Sequence, residues 1–216
     1  VANGKNDLIM NSPKAEPVSL AGATILAAGV SGAAESASVE ALVEQIKNPD
    51  DAVRGPAWQS AARYGAPAIQ PLAALLTHQD FEVARAGRRA MWLVVRHAGR
   101  PGAERERTAV VAELLPLLKH PQASVRRETL WMLSEIGQKE AVKPAAALLA
   151  DAEVHDDARS ALERIPGSKS LAALKLGLKK APEAYRPAIA QSLRVRGVKV
   201  SGYPSNKLAP KPAIKP

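Results

Sequence analysis

Leu117-Leu118-Lys119-His120-Pro121-Gln122-Ala123-Ser124-Val125-Arg126 is the stretch whose reading decides the fold. Two leucines end one apolar-periodic segment, a polar His-Pro-Gln turn follows, and Val125-Arg126 opens an Ala/Leu-rich segment that runs to Gly137. Apolar positions three and four apart on both sides of a turn predict a helix, a tight connection and a second helix. The turn recurs along the chain as Gln45–Asp50, Leu75–Asp80, Leu148–Glu153 and Gly177–Pro182. Its apolar anchor column is Ile46, Leu76, Leu118, Leu149 and Leu178, at steps of 30, 42, 31 and 29 residues. The long step has a visible cause: the second unit's second helix runs on through Arg96-His97 into a polar loop, Gly99–Gly102.

The second helices align as well. Val53, Val83 and Val125 follow the turn, and Gly65, Gly99 and Gly137 close the segment. Tyr185 and Gly197 keep the 12-residue spacing of Val53–Gly65. A glycine just past the last apolar residue is expected at positive φ. Asp50, Asp80, Ser124 and Asp156 are expected N-caps, accepting orphan backbone N–H groups. Pro56 is expected in a first turn, and Pro116 and Pro144 are expected to bend or begin first helices. In the first unit Val39, Leu42, Val43, Ile46, Val53, Trp58, Ala61 and Ala62 make a stripe too broad for one helix partner. Stacking the next pair buries it, and strand-like alternation is absent. The expectation is an all-α, right-handed solenoid of about five helix pairs over residues 35–200. An N-terminal extension (1–34) precedes it and a basic, Pro-rich tail (201–216) follows.

The unit has a turn with Asn/His-Pro or Asp, a Val-Arg step at Val53-Arg54 and Val125-Arg126, and a closing Gly. It resembles HEAT-like repeats, in particular the short bacterial type also found in phycobilin lyases. Five units cover about Val39 to Val198. The fourth departs, since Val154-His155-Asp156-Asp157 lacks the Val-Arg step and its helix ends at Pro166-Gly167. The resemblance implies a non-enzymatic scaffold that presents a concave face to a protein partner. Two alternatives stand beside it: a nucleic-acid-binding or DNA-repair protein of the HEAT-like alkylpurine glycosylase kind, and a bilin-lyase-like enzyme. HEAT-like di-iron hydroxylases carry His-Glu pairs in their repeats, which this chain lacks.

Composition narrows the classes. The chain has 216 residues, 46% hydrophobic and 24% charged, enough to bury a core. With no cysteine it has no disulfide framework, zinc-thiolate site or thiol nucleophile, and nothing to hold a bilin covalently. The net charge of +9 sits at one end: residues 166–216 carry eleven basic side chains against Glu183, while the rest sums to −1. A basic groove along the whole molecule is therefore not expected, and nucleic acid is the less favoured partner. A basic end suits a partner with an acidic surface. The tail, with Lys207, Lys211 and Lys215 between prolines, reads as an extended, disordered arm.

At the other end Val1–Pro17 reads as disordered, and Val18–Val30 is apolar. Lys14 precedes the run, and Ser31 and Ala33 have the −3/−1 spacing of a signal-peptidase site. Glu16, Asp7, Gly22 and Gly29 favour the other reading, a helix packed on the first repeat. Export follows from the first reading and a cytoplasmic location from the second. No membrane span is expected in the mature chain.

Chemistry-bearing motifs are few. There is no Gly-x-Ser-x-Gly, P-loop or dinucleotide fingerprint. No catalytic residue, cofactor or metal is expected. His78 and His120 share one repeat position, where hydrogen bonds to the last helical carbonyls are the favoured role over a metal pair. Trp58, Trp92 and Trp131 fall in three successive second helices, and core packing is the favoured reading over an aromatic surface strip. The sharpest cluster is Arg85, Arg89, Trp92 and Arg96, on one helix face at i, i+4, i+7 and i+11. These four are the candidate partner-binding residues, with Arg54 and Arg126 as extensions across neighbouring units. The nearby acids predict that salt-bridge ladders take up part of this charge.

Overall fold

The structure, a computed structural model, describes residues 39–204. The apolar segment 18–34, its Ser31/Ala33 site and the tail lysines Lys207, Lys211 and Lys215 lie outside the described residues. Ten α-helices occur among the described residues, with 3₁₀ turns and no strand: α1 (39–47), α2 (Asp51–Gln59), α3 (Ile69–Leu75), α4 (Phe81–Ala98), α5 (Glu104–Leu114), α6 (Ala123–Ile136), α7 (Lys139–Ala147), α8 (His155–Arg164), α9 (Ser168–Lys180) and α10 (Arg186–Val195). They form the five expected pairs. The second helices α2, α4, α6, α8 and α10 stack in chain order. The first helices α3, α5, α7 and α9 make the other layer, with the 3₁₀ turn Leu115–Lys119 bridging to α7. One apolar cluster runs between the layers from Val39 to Leu193, as expected when each pair is capped by the next.

The local rules hold at some positions and fail at others. Asp50 caps α2 through Ala52 N–H (2.9 Å), and Asp80 caps α4 through Glu82 N–H (2.8 Å). Ser124 and Asp156 are not caps: they lie inside α6 and α8, whose N-caps are Gln122 and Val154. The chain reaches helical dihedrals earlier there than the polar residue suggests. Pro56 is not in a first turn but sixth in α2, so that short helix loses one internal hydrogen bond. Pro116 is second in the 3₁₀ turn after α5, and Pro144 lies inside α7.

Of the closing glycines, Gly65 and Gly197 take positive φ (60° and 78°). Gly99 and Gly137 do not, at φ −79° and −67°. At Gly99 the demand is space: a Cβ there would stand 2.8 Å from Ile136 Cγ2. The positive φ in that loop belongs to Gly102. In the anchor column Ile46, Leu118 and Leu149 are buried, while Leu76 and Leu178 are half-buried, with Leu75 and Leu174 taking the core positions beside them. Val53, expected in the buried stripe, is exposed.

Candidate functional site

The Val-Arg step is structural. Arg54 and Arg126 are each only 8% exposed. Arg54 donates to the carbonyls of Asn48 (3.0 Å) and Pro49 (3.5 Å), and Arg126 to those of His120 (2.8 Å) and Pro121 (2.7 Å). Each guanidinium therefore ties down the turn that precedes its own helix. Arg126 also reaches Asp151 (3.0 Å) and Glu153 (2.9 Å) of the next unit. The expectation that these two arginines extend an open basic face is overturned, because backbone carbonyls hold them inside. Arg186 stands in the same column and donates to Ala181 O at 2.9 Å. Carrying the column of Arg54 and Arg126 forward from Leu178 would have found it.

The histidines act on the same turns, and not as expected. His78 Nδ1 accepts from Asp80 N–H (3.1 Å), and His120 Nδ1 from Gln122 N–H (3.2 Å). Asn48 and Asp151 do the same with their side-chain oxygens, to Asp50 N–H (2.8 Å) and Glu153 N–H (3.0 Å). One column thus supplies a side-chain acceptor two residues before an unpaired N–H, the logic of an Asx turn. The helical carbonyls are not the partners of these rings. Among the described residues no three His, Asp or Glu side chains gather as metal ligands would.

Core packing holds for two of the tryptophans: Trp58 and Trp92 are half-buried and pack against the apolar cluster, while Trp131 is 39% exposed. Each also bridges stacked second helices. On α4, Trp92 Nε1 donates to Glu128 of α6, and Arg88 Nε forms an ion pair with the same carboxylate at 3.1 Å. Trp131 Nε1 (2.9 Å) and Arg127 Nε (3.1 Å) on α6 both donate to Asp157 on α8. A donor pair four residues apart thus grips one carboxylate of the next unit, twice over. Trp58 on α2 meets α4 through its ring face, with the Arg89 guanidinium 5.2 Å from its centroid.

Around this ladder lie the four candidate residues. Arg85, Arg89 and Arg96 are exposed on α4 and Trp92 is half-buried among them. Arg85 pairs with Glu82, Arg96 lies 4.0 Å from Glu135, and the Arg96 guanidinium covers the Trp92 ring at 5.1 Å. Among the described residues Arg89 has no carboxylate within 4.0 Å. The carboxylates that take up charge are thus Glu82 on α4 and Glu128 and Glu135 on α6, not the Asp80, Glu104 and Glu106 nearby in sequence. Glu106 serves the inserted loop: Arg100 grips both its oxygens (2.7 and 2.6 Å) and holds its carboxyl below the usual range.

The last described junction uses other means. Arg159 on α8 donates to the Ser192 hydroxyl on α10 at 2.7 Å. Arg196, just past α10, reaches back to the carbonyls of Leu162 (3.1 Å), Glu163 (3.1 Å), Ile165 (2.9 Å) and Gly167 (3.0 Å). A cation on the free carbonyls of a helix C-terminus is favoured by hydrogen bonding and by the helix dipole. It finishes α8, whose chain turns away through Gly167 at φ 98°. The Tyr185 ring stacks on His155 (centroids 4.0 Å apart) and its hydroxyl donates to His155 O (2.8 Å). Burial pushes that phenol up. Beyond α10, Arg194 holds the carbonyls of Val200 and Tyr203, folding the start of the tail against the helix beside a shallow groove.

The family model for HEAT repeats matches residues 111–194. No curated protein matches the chain. Among solved structures, the chain is similar to computationally designed armadillo repeat proteins for modular peptide recognition, at 20% identity over 77% of this chain and 85% of that one, TM-score 0.43. A designed armadillo repeat protein in complex with the peptide (KR)4 matches at 20% identity over 77% and 84%, TM-score 0.42. An engineered protein from a structural genomics consortium matches at 23% over 73% and 80%, TM-score 0.41. Residues 111–194 thus match HEAT repeats, and the helix pairs before them continue the same stack.

Proposed function

We propose that this array is a non-enzymatic scaffold that binds a protein partner, and that Arg85, Arg89, Trp92 and Arg96 on α4 meet it. The observation that carries the reading is the state of that face. Three exposed arginines each lie over an aromatic ring, Arg85 over Phe81, Arg89 over Trp58 and Arg96 over the half-buried Trp92, and Arg89 has no carboxylate partner among the described residues. An arginine held flat on an aromatic ring keeps its in-plane N–H fork directed outward, which suits bidentate capture of a carboxylate. Arginine and tryptophan are also the side chains that most often dominate a protein interface. The four arginines of α4 exceed the single acid of that helix, Glu82, so the face favours an acidic segment.

Selection of random peptides on the folded protein tests this. The expected result is an acidic consensus that is enriched on the native chain and lost on Arg85→Ala/Arg89→Ala. Both side chains are exposed, so that variant keeps the fold. Equal enrichment on the variant overturns the assignment of the site. Tighter binding of random duplex DNA, with the steep salt dependence of counterion release, replaces the protein partner with nucleic acid.

A further inference from the structure

The outer face of α9 is unlike that of the other first helices. Ser168, Lys169, Ala172, Lys175, Leu176, Lys179 and Lys180 are exposed on it, while Ser170 and Leu174 are buried. Among the described residues, none of the four lysines has a carboxylate within 4.0 Å. Leu176 stands in their midst at 53% exposure. By contrast α5 exposes acids and bases together, Glu104 and Glu106 with Arg105. The neighbouring α7 adds Lys139 and Lys143 against Glu140. Lys169 to Lys180 spans eleven residues, about 16 Å of helix. Residues 166–204 carry eight basic side chains and one acid, Glu183.

We infer that this face is a second docking surface, separate from the α4 cluster, for an acidic protein segment that seats one apolar side chain on Leu176. Two features select that occupant. The charge is lysine, and the face holds no arginine or aromatic ring to stack on a base, which disfavours single-stranded nucleic acid. The apolar content is one leucine with Ala172 a turn away, too little to insert into a lipid surface as an interfacial helix does. A single exposed apolar side chain ringed by cations matches an interface with an apolar centre and a polar rim, whose partner carries carboxylates around one apolar anchor.

The probe is a fluorescein-labelled synthetic peptide of glutamates flanking a central leucine, titrated by anisotropy onto the full chain. Lys175→Glu/Lys179→Glu is expected to weaken binding more than tenfold, mainly through slower association. Leu176→Ser is expected to weaken it about tenfold, as loss of an interface anchor does. Arg85→Ala/Arg89→Ala is expected to remove only the share of acidic-peptide binding that the α4 face contributes and to leave the leucine-dependent share that the α9 variants abolish, so failure here and failure of the α4 reading are distinguishable. All these positions are exposed, and unchanged helical circular dichroism shows that each variant is folded. The inference is overturned if an all-glutamate peptide binds as well as the leucine peptide. It is equally overturned if a single-stranded oligonucleotide or phosphatidylserine vesicles bind more tightly, or if only the α4 variant loses the peptide.

Discussion

The junctions α4–α6 and α6–α8 are built one way, and α8–α10 another. In the first two, Arg88 with Trp92 and then Arg127 with Trp131 grip a carboxylate on the next second helix, Glu128 and then Asp157. At the third, an arginine meets the Ser192 hydroxyl, and Arg196 returns to the main-chain carbonyls that end α8. In the middle of the stack, therefore, many guanidinium groups are taken up in holding units together. On α9, at the last pair, the lysines stay in solvent. The difference follows from shape. A guanidinium is a planar fork that can bridge two groups at once, and an ammonium is a compact, strongly hydrated charge. Formal charge along the sequence is thus a poor map of the charge left for a partner.

The largest expected effect separates middle from end through packing. Leu118, 3% exposed with layers on both sides, should cost about 2–5 kcal/mol as Leu118→Ala in urea unfolding. Leu178→Ala, at the half-buried position of the last unit, should cost less than half as much. Equal losses would erase the distinction between the middle units and the last described one.

Next come the two arginine roles. Arg126→Met and Arg196→Met should each destabilise by about 2–3 kcal/mol, since both strand buried or half-buried carbonyls. Salt tells them apart. Arg126 also serves Asp151 and Glu153, so its loss should shrink in high salt, while that of Arg196, whose partners are neutral, should not. The same salt response for both would mean that the two junctions are not electrostatically different.

A smaller effect tests the donor pairs. Glu128→Ala and Asp157→Ala should each cost about 1 kcal/mol, because water takes over part of the lost bonding at these half-open positions. Tryptophan emission should report Trp92 in the first and Trp131 in the second. An unchanged midpoint for both would show that the donor pairs add nothing to stacking.

The smallest effect lies in the turn column. His120→Ala should cost about 0.5–1 kcal/mol by freeing the Gln122 N–H, and His120→Asn should recover most of it, since Asn48 already does this work in the first unit. Failure of asparagine to restore the midpoint would show that the ring's packing, not its acceptor, matters.

The helix pairs, their number, the long second step and its loop were all legible in the sequence. Each rests on apolar periodicity and turn chemistry within about ten residues. Asp50 and Asp80 were legible as caps for the same reason. The four α4 residues could be placed on one helix face, because a single helix fixes that geometry. What each side chain touches across the stack could not be read. The two donor pairs occupy different repeat positions: Arg88 and Trp92 stand twelve and sixteen residues past Leu76, whereas Arg127 and Trp131 stand nine and thirteen past Leu118. The offset of about one turn between stacked units is set by how their side chains interlock. Hence the tertiary structure alone decided that Arg126 is buried, that Trp131 is a bridge, that Gly99 makes room for Ile136, and that Arg196 ends a helix some thirty residues before it. Periodicity is written in one helix at a time, and the partner of a guanidinium belongs to whichever helix packing brings opposite.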